Sequence, residues 1–159
     1  MKKYKHIFWD LDRTLWDFNK NSEEAIRDLF EKHELAFKLG VAFDAFFREY
    51  LVINHDLWAA YRKEEVTKDE LRLRRFHHSF EKFGFNDSTF ALAFNDDYVA
   101  LCSHKSNLIQ NALEVLDYLY PKYTMHVITN GFVEAQQVKI NNSGLNKYFE
   151  HVIVSDGLG

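Results

Sequence analysis

The sequence has only one cysteine, Cys102, and one proline, Pro121, among its 159 residues. A single cysteine cannot form an intramolecular disulfide, which excludes a disulfide-stapled scaffold and favours the cytoplasm. No apolar run approaches the roughly 20 residues that a membrane-spanning helix requires, and the amino-terminal stretch leads into only a short apolar segment, unlike a signal peptide. We therefore expect a soluble, cytoplasmic protein that does not bind membranes.

Basic residues are also not gathered into a block. The formal net charge of −4 comes from interspersed acids and bases, so the sequence lacks the electrostatic footprint of a protein that binds a nucleic acid polymer. With 47% hydrophobic residues, the chain is long enough for a compact core with an inserted helical module. A small molecule is the expected partner, and the oligomeric state is unknown from sequence.

The amino-terminal half predicts one strand followed by helices. Residues 6–9 form a continuous apolar run that ends at a carboxylate, which predicts a buried parallel strand. From Asn21 to about Phe94, helical spacing predicts packed helices. Capping-box patterns mark two helix starts, at Asn21 with Glu24 and at Thr67 with Glu70, and Gly84 predicts the end of a third helix. The predicted apolar faces contain Ile26, Leu29, Phe30, His33 and Phe37 in one helix, and Phe43, Phe46, Phe47, Tyr50, Leu57 and Tyr61 in another.

The remaining chain alternates helices and strands. After a loop at 103–106, a helix from about Leu108 ends at Pro121, and a strand covers 125–128 and ends at Thr129. A helix then covers 133–142 and is stopped by Gly144, and a last strand covers 151–154. This order predicts right-handed crossovers and an α/β fold with a parallel sheet. Ligands bind at the carboxyl ends of such strands.

Asp10 and Asp12 follow the first strand at a spacing of two, so an extended backbone points both carboxylates to one side. Two carboxylates this close repel each other unless a cation or shared proton compensates, and Mg²⁺ prefers oxygen ligands. The pair therefore predicts a magnesium site in which Asp10 attacks phosphorus and Asp12 transfers protons to and from oxygen. The alternative is that the two aspartates simply terminate the strand.

Thr129, Asn130 and Gly131 end the second strand and precede a helix. A hydroxyl and backbone N–H groups at a helix start suit a phosphate, so these residues predict the phosphate-binding half of the same site. An ordinary strand-to-helix turn would use the same asparagine and glycine, and the case for a ligand site comes from the two half-sites together.

The motif at Asp10, Asp12 and Thr14, together with Thr129, resembles the haloacid dehalogenase-like hydrolase superfamily, whose motifs lie at these strand ends. The helix-rich insert between them resembles the superfamily's helical-cap subfamily. The resemblance implies a three-layer Rossmann-like core at 1–18 and 104–159, of which three strands are present, and a helical cap at 19–103. Asp12 favours a phosphatase over a dehalogenase, because a halide leaving group needs no proton.

Within that subfamily, the segment from Leu15 to Asn21 and the aromatic-rich insert look most like the pyrimidine 5′-nucleotidases. This resemblance implies a nucleotide substrate, and it makes Trp16 and Phe18 candidates for contact with a base. Both rings could equally anchor a hinge. Phosphoglycolate and sugar-phosphate phosphatases share the same two motifs and stay open as alternatives.

The superfamily also has a third motif, a lysine, and a fourth, an acid, and we expect both to lie beyond Gly159. Lys139 and Lys147 precede the third strand and do not match the position of the missing lysine. A second hypothesis is therefore a catalytically incompetent fragment that binds a phosphorylated ligand or a protein partner.

Overall fold

The structure is a computed structural model that describes residues 4–155. Outside the described residues lie residues 1–3 and residues 156–159. The third motif is expected beyond this last segment. The elements along the chain are β1 (His6–Trp9), α1 (Phe18–Lys32), α2 (Leu35–Leu39), α3 (Phe43–Arg62), α4 (Lys68–Glu81), α5 (Ser88–His104), α6 (Ala112–Leu119), β2 (Thr124–Thr129), α7 (Val133–Asn142), a 3-10 helix (Asn146–Tyr148) and β3 (His151–Val154).

The three strands form one parallel sheet in the order β1-β2-β3. Trp9 lies opposite Val127, and Thr129 lies opposite Val154. This register brings the residues that follow β1 level with the last residues of β2, at the carboxyl edge of the sheet. The predicted α/β class with a parallel sheet is confirmed.

The prediction that the first strand is buried is wrong. Within the described residues β1 pairs only with β2, so it is an edge strand, and its residues alternate between exposed and half-buried. Phe8 is 57% exposed, although its ring stacks on His126 at a centroid distance of 4.8 Å. An apolar run predicts that a strand forms, but the run does not reveal what covers its two faces.

The described residues divide into two compact units: those up to Ser22 together with those from Ala100 onward, and Glu23–Val99. We call them the sheet unit and the helical unit. The domain boundaries implied by the family resemblance, at 18/19 and 103/104, stay a prediction. No helix within residues 4–155 has the length and apolar content needed to cross a membrane.

The helical unit has an aromatic core. Phe46, Phe76, Phe80 and Phe94 are buried on α3, α4 and α5. Phe76 and Phe94 meet edge to face with ring centroids 4.8 Å apart, and Phe46 stacks on Phe80 at 5.4 Å. Large rings at helical spacing bury much apolar area per residue, and Phe46 is the ring of these four that belongs to an apolar face predicted above.

Two helix predictions in the first half are wrong. Asn21 is not a cap, because α1 begins at Phe18; Asn21 lies inside the helix, fully buried, and bonds Asn107 instead. Phe37 is not on the face of α1, because the left-handed backbone of Glu34 (φ 54°) separates α1 from α2 and turns Phe37 outward, where it is 91% exposed.

The other start and stop signals fall close to their predicted places. The capping box of Thr67 and Glu70 is confirmed at the start of α4. Gly84 and Gly144 follow α4 and α7 with φ of 76° and 66°. In contrast, α5 continues to His104, into the predicted loop, and α6 begins only at Ala112.

Candidate active site

The loop after β1 is a tight turn that separates apolar from polar side chains. The amides of Leu15 and Trp16 both donate to the Leu11 carbonyl oxygen at 2.9 Å, and Arg13 takes a positive φ of 67°. Leu11 and Leu15 are buried in the sheet unit. Asp10 and Asp12, on either side of Leu11, are exposed and partly buried, respectively, and the convergence of their carboxylates on one site stays a prediction.

Asp10 is exposed at this edge. The Thr14 hydroxyl donates to its Oδ2 atom at 3.3 Å, so the two polar positions of the motif bond each other across the turn. An exposed carboxylate of this kind suits a hard cation such as Mg²⁺, which binds through one or two carboxylates and keeps water ligands.

Thr129 ends β2 as a buried residue, and Asn130 and Gly131 lead into α7. The hydroxyl oxygen of Thr129 accepts a hydrogen bond from Nε2 of Gln136 at 2.8 Å. The same nitrogen donates to Oδ2 of Asp12 at 2.9 Å. One buried amide therefore joins the two predicted half-sites, which lie on different strands.

Gly131 makes room for this amide. Its φ is 156°, a conformation that residues with side chains rarely adopt, and a Cβ atom placed there would lie 2.8 Å from Nε2 of Gln136. Gly131 thus contributes to the site through the space it leaves, in addition to the turn conformation that the sequence suggested.

Lys139, one helical turn beyond Gln136, forms an ion pair with Asp12. Its Nζ atom lies 2.8 Å from Oδ1 and 3.0 Å from Oδ2, and its side chain is only 9% exposed. The ammonium group also lies 4.4 Å from the centroid of the Trp16 ring. The predicted need for a compensating cation is met at Asp12 by this lysine, and magnesium binding by the Asp12 side chain stays a prediction.

The two aromatic residues proposed for substrate contact differ in accessibility. Trp16 is fully buried, and its indole N–H donates to the Lys105 carbonyl oxygen at 3.1 Å. Phe18 is half-buried, and the Arg13 guanidinium lies 4.6 Å above its ring. A base contact by either residue stays a prediction, and for Trp16 it would require the ring to become exposed.

Sequence reasoning missed Gln136 and Lys139. Lys139 was considered only as a replacement for the third-motif lysine. The available signal was their position: both lie on the helix that opens directly after Thr129, three residues apart and therefore on one face.

A second cluster with metal-ligand chemistry lies in the helical unit. His77, His78 and Glu81 of α4 bring one ligand atom each to within 4.8 Å of one another. The spacing of the histidines in the sequence predicts no metal site. The contact between Nδ1 of His77 and Oε2 of Glu81 at 3.6 Å, one helical turn apart, accounts for the same arrangement.

The parallel sheet carries an Asp-x-Asp-x-Thr turn and a threonine at neighbouring strand ends, and a helical unit is inserted between them in the sequence. These features define a Rossmann-like α/β core with a helical insert, an architecture that hydrolases of the haloacid dehalogenase type share. The chain belongs to the haloacid dehalogenase-like hydrolase family, whose model matches residues 4–159.

Its relatives include pyrimidine 5′-nucleotidase PynA of Streptococcus pneumoniae, 30% identical over 98% of this chain and 63% of that protein, and pyrimidine 5′-nucleotidase YjjG of Escherichia coli, 27% identical over 99% and 65%. The magnesium-bound crystal structure of YfnB of Bacillus subtilis, a HAD-hydrolase by name, is similar with a TM-score of 0.86 and 25% identity, over 98% of this chain and 65% of that one. The chain thus spans just under two thirds of the length of these relatives.

Proposed function

We propose that this protein is a magnesium-dependent phosphomonoester hydrolase that acts on nucleoside 5′-monophosphates. The observation that carries the proposal is the Gln136 amide, which bonds both Asp12 and Thr129 at the sheet edge where Asp10 also follows its strand. The names of the two related pyrimidine 5′-nucleotidases support the substrate class.

In the proposed reaction a carboxylate oxygen of Asp10 attacks phosphorus while the ester P–O bond breaks. The leaving oxygen takes a proton from Asp12. Water then attacks phosphorus in the aspartyl phosphate and gives a proton to Asp12. The bond between phosphorus and the Asp10 oxygen breaks, so inorganic phosphate is released and the Asp10 carboxylate is restored. The exposure of Asp10 and the partly buried position of Asp12 match these two roles.

Thr129 and the backbone around Asn130 and Gly131 would hold the phosphate. These residues lie directly before α7, whose amino-terminal end carries partial positive charge. Asp10 would hold Mg²⁺ together with oxygens of the turn after β1. When bound, the cation would offset the negative charge of the phosphate oxygens.

We also propose that Glu23–Val99 is the helical cap expected from the family resemblance, and that Phe18 is the better placed of the two aromatic candidates for a base. Cytoplasmic location, and the absence of membrane and nucleic acid partners, stay predictions.

The proposal is tested by phosphate release from uridine and thymidine monophosphate, with and without Mg²⁺, by the product of the complete reading frame. Phosphoglycolate and a sugar phosphate complete the panel. Asp10→Asn should abolish release, whereas the control Asp69→Asn, at a side chain that is 92% exposed in the helical unit, should leave it unchanged.

Preference for phosphoglycolate or a sugar phosphate would replace the nucleotide assignment. Activity retained by Asp10→Asn would refute the aspartyl-phosphate mechanism. Calorimetry that detects nucleotide binding without turnover would favour the binding-only hypothesis.

A further inference from the structure

Asp12 is held from a single helix face. Gln136 and Lys139 both project from α7 to its carboxylate, and together they account for hydrogen bonds to both oxygens. Hydrogen bonds from two different side chains restrict the rotation of the short Asp12 side chain more than a single hydrogen bond would. Each carboxylate oxygen has more than one lone-pair direction, so Asp12 keeps capacity for a further partner.

The contacts also have a defined polarity. The Gln136 amide must present its nitrogen to Asp12, because its oxygen would face a carboxylate, and its second N–H then reaches Thr129. Gln136 is fully buried, and this orientation pairs its nitrogen while its Oε1 atom has no hydrogen-bond partner among the described residues. The contacts of the nitrogen therefore select the orientation. The positions of Asp12 and Thr129 are therefore linked through one side chain.

Lys139 supplies the charge that allows Asp12 to be partly buried. Its ammonium group lies between the Asp12 carboxylate and the face of Trp16, with little access to water. An ion pair in such surroundings stabilises one arrangement strongly, and removal of one partner leaves the other charge without compensation.

We propose that Lys139 and Gln136 are positioning residues that fix the Asp12 carboxylate relative to the phosphate-binding Thr129. This inference rests on the proposed function, since it assigns the two residues to the proton-transfer step. Lys139 and Gln136 act on the reaction through the Asp12 carboxylate, which they contact, and are given no role on the phosphate or the leaving group themselves. Loss of orientation at a proton donor slows only the steps in which that proton moves.

Substrates with different leaving groups distinguish the positioning of Asp12 for proton transfer from a general effect on the fold. The ribose oxygen of a nucleoside 5′-monophosphate leaves poorly without a proton, whereas the phenolate of p-nitrophenyl phosphate leaves without help. Lys139→Met and Gln136→Met should lower kcat for uridine monophosphate about 10- to 100-fold, with KM changed less than about 3-fold. For p-nitrophenyl phosphate kcat/KM, which reports only the transfer of the phosphoryl group to Asp10, should fall less than about 3-fold. Its kcat is not diagnostic, because water hydrolyses the same aspartyl phosphate with both substrates.

Two further variants serve as controls in the product of the complete reading frame. Lys139→Arg keeps the charge and should recover most of the lost kcat. Gln137→Met changes the neighbouring glutamine, which is exposed and bonds only along α7 to Asn141, and it should behave as the unaltered protein. Equal losses of kcat/KM on both substrates, or no rescue by Lys139→Arg, would overturn the positioning role.

A thermal unfolding cycle tests the same contact without turnover. Asp12→Asn and Lys139→Met should each lower Tm, and the double variant should lose less than the sum of the two, because it no longer buries an unpaired charge. Additive losses would overturn the inference. If the unaltered protein released phosphate from neither substrate, the proposed function would fail, and this cycle would still decide whether Lys139 holds Asp12.

Discussion

The helical unit and the sheet unit each bury a cation, but they surround it differently. Arg75 in the helical unit donates from Nε to the neutral amide oxygen of Asn95 at 2.7 Å and lies 4.9 Å from the centroid of the Tyr98 ring. Lys139 in the sheet unit meets a carboxylate that follows a strand end. Burial of charge alone therefore does not distinguish the two units, and the proposal of a site at Lys139 rests on its carboxylate partner and on the place of that partner in the sheet.

The difference extends to what stabilises each unit. Rings dominate the helical core, where Phe46, Phe76 and Phe80 are fully buried. In the sheet unit the residues Thr129, Gln136 and Lys139 are buried at the carboxyl edge. Polar burial of this kind is tolerated only when hydrogen bonds compensate for lost solvation. We expect changes in the helical unit to affect stability first, and changes at the sheet edge to affect chemistry as well.

The largest effect on stability should come from Phe76→Ala. This ring contacts Phe80, Phe94 and Tyr98, and its removal leaves a cavity that should cost about 3–5 kcal/mol of unfolding free energy. Hydrogen exchange should show the loss of protection concentrated within 23–99, which would also support a separate domain. The control Phe37→Ala, at an exposed ring, should cost less than about 0.5 kcal/mol. Equal costs for the two variants would contradict the packing described for this core.

An intermediate effect is expected from Gly131→Ala. A Cβ atom at residue 131 would displace the Gln136 amide, so the variant should lose about 1–3 kcal/mol of stability and also reduce phosphate release. Gly40 is the matched control, because its φ of 67° is also positive but no atom lies within 4 Å of a Cβ placed there. Gly40→Ala should therefore show backbone strain alone and leave activity unchanged. Calorimetric unfolding and phosphate release, measured on both variants, separate the effect of displacing Gln136 from backbone strain. A fully active Gly131→Ala protein would argue against a role for Gln136.

Local signals predicted the elements but not the contacts between them. Residues 6–9, 133–142 and 151–154 have the predicted bounds, because apolar runs and helix-stopping glycines act over a few residues. The capping pattern at Asn21 failed, since a buried hydrogen bond to Asn107, 86 positions away, defines the role of that residue.

The same limit applies to the candidate site. Asp12 bonds Gln136 and Lys139 across 124 and 127 positions. Motif spacing placed Asp12 and Thr129 at neighbouring strand ends, because parallel strands align their carboxyl ends. No pattern within either segment specifies which side chain of α7 reaches Asp12, since that choice depends on how the helix packs on the sheet.

The smallest effect should come from Thr67→Ala at the start of α4, where stability depends on local hydrogen bonds only. The Thr67 hydroxyl accepts from the Glu70 amide at 3.2 Å, and the Thr67 amide donates to the Glu70 carboxylate at 2.8 Å. Loss of the hydroxyl should cost about 1 kcal/mol at pH 7.

This cost should depend on pH in a defined direction. The pKa of Glu70 lies below its ordinary value. The main cause is the hydrogen bond that its carboxylate accepts from the Thr67 amide, and the second is the hydrogen bond from the Thr67 hydroxyl. A lowered pKa in the folded state adds stability above the unfolded pKa of about 4.3, and that stability disappears as the pH falls through the folded value. Because Thr67→Ala removes the hydroxyl part of this contribution, the gap between the variant and the unaltered protein should narrow as the pH falls below about 4. Urea unfolding across this range measures the gap, and a gap that stays constant would show that the capping box does not depend on the charge of Glu70.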